Sequence, residues 1–194
     1  MADEIELKVA VADHKGLLDA LQAAGAGPAG AWLQTDRFFD TQDRSFRRED
    51  RGLRIRRIEP LGEGGEARTV VTYKGPRRKA GELKVRPEFE TPVGDPDVLA
   101  RVFEACGLQN VLTIQKRRSS WRIGGCAVEL DELPVIGRFV EIEGPDAEAV
   151  RAVRDRLGVA GEPITDSYAA LIAARLADLP IGAEVTFETE PRWR

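Results

Sequence analysis

Acidic and basic side chains recur at every second position along several short stretches of this 194-residue chain, a spacing that puts them on one face of an extended strand. In EIELKVAV, Glu4, Glu6 and Lys8 share one face while Ile5, Leu7 and Val9 share the other. Arg54 and Arg56 alternate with Leu53 and Ile55, and Thr72 and Lys74 with Val71 and Tyr73. Lys84, Arg86, Glu88 and Glu90 then alternate with Leu83, Val85 and Phe89, and Lys116 and Arg118 follow. Glu129 and Asp131 sit against Val128 and Leu130, and Glu141 and Glu143 against Val140 and Ile142. Water could solvate any one such face in an ordinary antiparallel sheet. Taken together they differ from wetted strands, because nearly every polar position is a full charge, often of one sign twice at i and i+2. Like charges so placed repel unless a bound group compensates them.

Both signs on one face suit a particular ionic guest. Arg and Lys hold phosphate oxygens, Arg two at a time. Carboxylates repel phosphate and are placed to advantage where they ligate a hard cation, Mg²⁺ or Mn²⁺, that bridges protein and phosphate. A triphosphate with its metal therefore matches both sets.

The remaining sequence says how such a face is positioned. Strands are expected at about 3–11, 34–40, 52–58, 68–75, 82–92, 112–121, 125–132 and 138–143. Helical patterns cover 14–24, 96–105, 146–157 and 166–179. The irregular alternation favours an α+β fold of antiparallel strands, and eight strands close a small barrel. With helices packed on the apolar outside, the charged face turns inward. Residues 1–179 read as one domain and 180–194 as a tail, loosely held as an extra strand or disordered; 62–65 and 75–81 read as hairpin loops.

Composition removes other chemistries. A single histidine, His14, and two cysteines without metal-ligand spacing, Cys106 and Cys126, leave no His- or Cys-based site. The net charge of −4 argues against nucleic-acid or membrane-surface binding. The acidic start lacks the features of a signal peptide and no long apolar run follows, so a cytoplasmic location is expected. The basic tip Arg77, Arg78 and Lys79 reads as a solvated hairpin that could guide an anion inward.

At these residues the chain resembles the CYTH superfamily, the triphosphate tunnel metalloenzymes that include class IV adenylyl cyclases, thiamine triphosphatases and inorganic triphosphatases. The likeness runs in motif order from residue 4 to about 172: ExExK at Glu4, Glu6 and Lys8, RxR at Arg54 and Arg56, TYKGP with Lys74, RxExE at Arg86, Glu88 and Glu90, Lys116 with Arg118, and LDELPVIGRFVEIE. The resemblance implies an eight-stranded antiparallel tunnel. It implies Lys8, Arg54, Arg56, Lys74, Arg86, Lys116 and Arg118 as triphosphate contacts, with Glu4, Glu6, Glu129, Asp131, Glu141 and Glu143 as the pool of metal ligands. Glu4, Glu6 and Lys8 are the implied catalytic set, with Glu4 or Glu6 orienting a water. For each charged residue the alternative is an ion pair inside the tunnel, and Arg86 with Glu88 or Glu90 is the foremost case.

The subfamily signals divide. QTDRFF and LDELPVIGRFVEIE are similar to the cyclase branch, whereas FFDTQDRSFRREDRGLRIRR is similar to the inorganic triphosphatases. The leading expectation is metal-dependent cleavage of an inorganic, thiamine or nucleoside triphosphate. The alternative is a class IV cyclase making cyclic AMP and pyrophosphate from ATP. A module that binds triphosphate or polyphosphate without turnover stands third, and the inward carboxylates count against it.

Overall fold

Alternation of β-branched and charged residues produces strands that are long for a chain of this size, and the computed structural model shows why. It describes residues 3–62, 65–80 and 83–187, with backbone alone at 3–4, 78–80 and 83–84. The strands are β1 (Asp3–Val11), β2 (Gly27–Thr41), β3 (Gly52–Pro60), β4 (Arg68–Lys74), β5 (Arg78–Ala80), β6 (Leu83–Pro92), β7 (Leu108–Ile123), β8 (Cys126–Leu133), β9 (Gly137–Gly144) and β10 (Ala183–Val185). The helices are α1 (Lys15–Ala23), α2 (Ser45–Arg48), α3 (Pro96–Ala105), α4 (Ala147–Arg156) and α5 (Tyr168–Arg175).

Eight strands follow one another in the order β1-β9-β8-β7-β2-β3-β4-β6, and pairing of β6 with β1 closes the ring. All of these pairings are antiparallel. The fold is thus a closed eight-stranded antiparallel β-barrel of the α+β class, with helices on the outside. Closure removes the unpaired edges that an open sheet would present.

Local chemistry sets the turns and helix starts. Gly124 and Gly125, both at positive φ, form the two-residue turn between β7 and β8, a conformation a side chain would resist. Asp95 caps α3 by accepting from the amides of Asp97 and Val98, with Pro96 opening the helix. Asp146 and Ser167 cap α4 and α5 in the same manner.

Three apolar clusters clamp helices to the barrel. Leu7, Val9, Val128, Leu130, Val140 and Ile142 on the outer face meet Val150, Val153 and Leu157 of the α4 region and Leu21 of α1. Phe39, Ile55 and Ala100 hold α3. A third cluster, with Leu112, Ile114, Leu133, Phe139 and Ile172, seats α5. Among the described residues no helix is long and apolar enough to cross a membrane.

Some elements differ from expectation. β2 begins at residue 27 rather than 34, because its Gly- and Pro-rich start is held by the neighbouring β7, with a register shift between Pro28 and Gly30. The 75–81 loop contains the short strand β5 on β6. Part of the tail does form an extra strand, one of its two expected states: β10 lies parallel on β7, and residues 188–194 lie outside the described residues.

The approach of α4 to β9 depends on a small residue. A Cβ placed on Gly144 would come within 2.7 Å of Cys126 Sγ and 2.9 Å of Val150 Cγ2. Gly144→Ala is expected to cost about 1–3 kcal/mol of folding stability through overpacking. Urea denaturation measures it, and an unchanged midpoint would mean that α4 sits less closely on β9 than described.

Candidate active site

Residues directly opposite on paired strands share a face, so the pairing register assembles the barrel interior. Glu6 lies opposite Glu143, Lys8 opposite Glu141, and Glu141 opposite Glu129. Arg118 lies opposite Asp131, Asp36 opposite Arg56, and Arg54 opposite Thr72. The inward face therefore carries the charges and the outward face the aliphatics.

A cavity of about 610 Å³ opens onto this face. Lys8, Arg54, Arg56, Lys74, Arg86, Lys116 and Arg118 all line it, together with Glu6, Glu129, Glu141 and Glu143. Phe38, Leu112, Leu133, Ala169, Ala173 and Leu179 line another part, so the cavity has a charged and an apolar side. The side chain of Glu4 lies outside the described residues; its backbone pairs with Arg86.

Asp131 is fully buried and binds the basic wall together. Its Oδ1 accepts from Arg118 Nε at 2.6 Å, and its Oδ2 from Arg118 Nη2 at 2.5 Å, Lys116 Nζ at 3.1 Å and the Tyr168 hydroxyl at 3.0 Å. It does not line the cavity, and its oxygens are committed to these donors. Burial by itself would raise the Asp131 pKa, but Arg118 and Lys116 outweigh it and hold the carboxyl below its ordinary value. Tyr168 completes the cluster: its ring lies 4.2 Å from Lys8 Nζ and 5.2 Å from Lys116 Nζ. Burial, with Asp131 and Glu141 nearby, keeps the phenol well above its usual pKa and therefore protonated.

Asp36 does for β3 what Asp131 does for β7. It accepts from Arg56 Nε at 2.5 Å and Nη2 at 2.6 Å in a bidentate pair, with Arg54 Nη1 at 3.5 Å. Burial opposes its ionisation, yet Arg56 and Arg54 win and depress its pKa strongly. Neither Asp36 nor Tyr168 was singled out by the charge alternation. On its strand face Asp36 is flanked by Gln34 and Phe38 and so continues no run of charges, and Tyr168 reads as one more residue on a helix face.

The longer carboxylates are shared rather than locked. Glu141 contacts Arg118 at 2.5 Å and Lys8 at 3.3 Å. Glu129 accepts from the Ser120 hydroxyl at 2.5 Å and lies 3.7 Å from Arg118. Glu88 pairs with Lys74 at 2.7 Å and Glu90 accepts from Thr72 at 2.8 Å. Arg86 Nε and Nη2 donate to the Gly75 carbonyl, and its Nη2 also to the Asp50 carbonyl. Arg77, expected at a solvated tip, is tied to Asp50 at 2.8 Å and to the Thr165 carbonyl at 2.6 Å. Among the described residues no group of three His, Cys, Asp or Glu side chains is gathered tightly enough to hold a metal as they stand.

The surroundings of Lys116 disfavour its charged form. Burial first and Arg118 second lower its pKa to about 7, against partial support from Asp131. Its folded pKa lies below its unfolded one, so between about pH 7 and 10 the unfolded chain binds the extra proton and stability rises with pH. The slope from this group is at most about 1.4 kcal/mol per pH unit, and Lys116→Met is expected to flatten it. Denaturant titrations from pH 6.5 to 9.5 provide the check; identical slopes would show that Lys116 stays charged throughout.

Comparison with known proteins agrees with this architecture. Residues 2–162 match the CYTH domain family. A proposed adenylate cyclase of Methanocaldococcus jannaschii is 31% identical over 141 residues, 72% of this chain and 75% of that protein. Among solved structures, a Pyrococcus horikoshii protein superposes with a TM-score of 0.77 at 24% identity, covering 89% of this chain and 99% of that one. A Hippeastrum protein, described as a proposed adenylyl cyclase with a dominant triphosphatase activity, gives 0.69 at 19% identity over 92% and 98% of the two chains. A charged barrel interior closed by β1 and β6, matched over most of its length, places this chain in the CYTH family.

Proposed function

We propose that the chain binds the phosphate chain of an organic triphosphate inside the barrel and cleaves it with the help of a divalent cation, as a triphosphatase. One observation carries the reading: eleven Lys and Arg side chains line a single cavity that also holds four Glu side chains and an apolar side. The cations suit a polyphosphate, and the apolar side suits the group that a nucleoside or thiamine triphosphate carries and inorganic triphosphate lacks.

The donor chemistry fits a metal of the Mg²⁺ or Mn²⁺ kind. Glu6 and Glu143 lie directly opposite, as do Glu129 and Glu141, and like charges in that register favour a cation between them. Glu6, Glu141 and Glu143 would hold it, with Glu129 and Glu4 as neighbours on β8 and β1; Asp131, committed to Arg118 and Lys116, is a positioning residue in this scheme. Such a cation, when bound, supplies charge neutralisation on the phosphate oxygens and a more acidic water.

The protein groups do the remaining work. Lys8 and Arg118, which Glu141 engages here, would become available to phosphate oxygens if Glu141 served as a metal ligand, while Asp131 keeps Arg118 oriented. Metal and polyphosphate should therefore bind with positive coupling, each removing a partner that the other would have to displace. Arg54, Arg56 and Lys74 hold the chain from β3 and β4, and fixed cations of this kind stabilise the charge of phosphoryl transfer. A carboxylate at Glu6 or Glu4 serves as the group that orients water.

The cyclase reading keeps a specific support, because the Methanocaldococcus jannaschii relative bears that name and the apolar side would also seat adenine. The Hippeastrum protein, named for both activities, is the precedent for hydrolysis leading. Purified protein with Mg²⁺ or Mn²⁺ is offered ATP, thiamine triphosphate and inorganic triphosphate, and phosphate, pyrophosphate and cyclic AMP are resolved. Orthophosphate from an organic triphosphate is expected; cyclic AMP with pyrophosphate would replace the hydrolase by the cyclase. No product, with binding unchanged in chelator, would leave only a polyphosphate-binding module. Glu141→Gln is expected to raise the metal concentration for half-maximal turnover about tenfold or more, and unchanged metal dependence would remove Glu141 from the metal set.

A further inference from the structure

The segment joining β2 to β3 carries four arginines, and three of them, Arg44, Arg47 and Arg51, line the cavity. Arg48 is paired with Asp43; Arg51 is paired with Glu49 and stacks on Phe46, although its Nε is buried without a hydrogen-bond partner. Arg47 is exposed. Arg44 is half-buried, lines the cavity, and has a buried Nη1 with no hydrogen-bond partner. A buried guanidinium nitrogen left unsatisfied is costly unless a ligand completes it.

The backbone adds to that cost. Arg44 sits at φ 61° and ψ 35°, the left-handed region that a side chain disfavours. The surrounding turn enforces it: the Arg44 amide donates to the Thr41 carbonyl at 2.9 Å, Ser45 N donates to Thr41 Oγ1, and Asp40 accepts from the amides of Phe46 and Arg47. The turn is therefore held independently of the Arg44 side chain. A left-handed position whose side chain lines a cavity and carries an incompletely satisfied guanidinium is the pattern of a ligand clamp.

We infer that Arg44 is a specificity-determining contact for the outermost phosphoryl group of a bound triphosphate. This rests on the tunnel reading proposed above. Lys8, Lys116 and Arg118 are almost wholly buried in the barrel wall or nearly so, whereas the residues on either side of the 44–46 stretch, Asp43 and Arg47, are exposed. Arg44 thus stands at the boundary between cavity and solvent, where the last phosphate of an extended polyanion would lie. A diphosphate held by the deeper cations would not reach it.

The test measures binding by calorimetry with Mg²⁺, using inorganic triphosphate and pyrophosphate as probes, on the full chain and on Arg44→Gln, Arg44→Gly and Arg48→Gln. Arg44→Gln is expected to weaken triphosphate binding about tenfold, the worth of one charge-assisted hydrogen bond, and to change pyrophosphate binding less than about twofold. Arg44→Gly is expected to lose the same affinity while raising the melting temperature, because glycine relieves the left-handed strain. A structural role would lower both together. Arg48→Gln, on the same turn, should bind like the unsubstituted chain. Unchanged triphosphate affinity in both Arg44 variants, with the unsubstituted chain binding, overturns the inference and leaves the tunnel reading intact. Equal losses for both probes overturn the assignment to the outermost phosphate. Failure of the unsubstituted chain to bind either probe overturns the tunnel reading and this inference with it.

Discussion

A closed barrel whose charged face points inward must pair every charge that water no longer reaches, and the rest of the molecule is arranged around that requirement. The unsolvated cost of a lone buried guanidinium or carboxylate is several kcal/mol, a large share of the margin by which domains are stable. Asp131 and Asp36 meet it by bidentate pairing with Arg118 and Arg56 on adjacent strands. Those pairs are cross-strand neighbours, so the ion pairs and the backbone ladder enforce the same register. A slip by one residue would put Arg118 outside among aliphatics and Trp121 or Val128 inside among charges.

The helices follow from the same constraint. Once the charges face in, the aliphatic face of β1, β8 and β9 points out and needs a cover, which α1 and α4 supply through Val150, Val153 and Leu21. α5 covers differently. It presents Tyr168 to the charged cluster and alanines to the cavity, so it belongs to both the apolar packing and the site. Its approach is secured by Lys8, whose Nζ donates to the Asp166 carbonyl just before the helix, and by Arg77, which reaches the Thr165 carbonyl.

Barrel, strand number and inward charges were legible in the sequence because they rest on a period of two repeated over many strands, a signal that survives errors at any one boundary. The parts that escaped are those in which residue type and period disagree with use. Gly27 to Ala31 lacks β-formers, yet β7 supplies a long partner that holds it extended. α2 is a single turn created by the Asp40 and Thr41 side chains, not by an apolar stripe. Arg77 and Arg86 sit among basic residues of motif type, yet carbonyl groups of neighbouring turns are among their partners, and Asp50 also holds Arg77. No periodicity announces which oxygen a guanidinium will find.

Side-chain length separates roles that charge alone leaves merged. Asp131, one methylene shorter than a glutamate, keeps its carboxyl at the wall and is wholly enclosed by Arg118, Lys116 and Tyr168. Glu141, on the adjoining strand, extends far enough to line the cavity and to stand between Lys8 and Arg118. In the proposed triphosphatase the short carboxylate would hold cations still, and the long one would exchange partners when a metal or phosphate arrived. Replacing aspartate by glutamate at 131 would put a second mobile carboxyl beside Arg118 and remove its fixed partner, so a conservative change in charge would not be conservative in function.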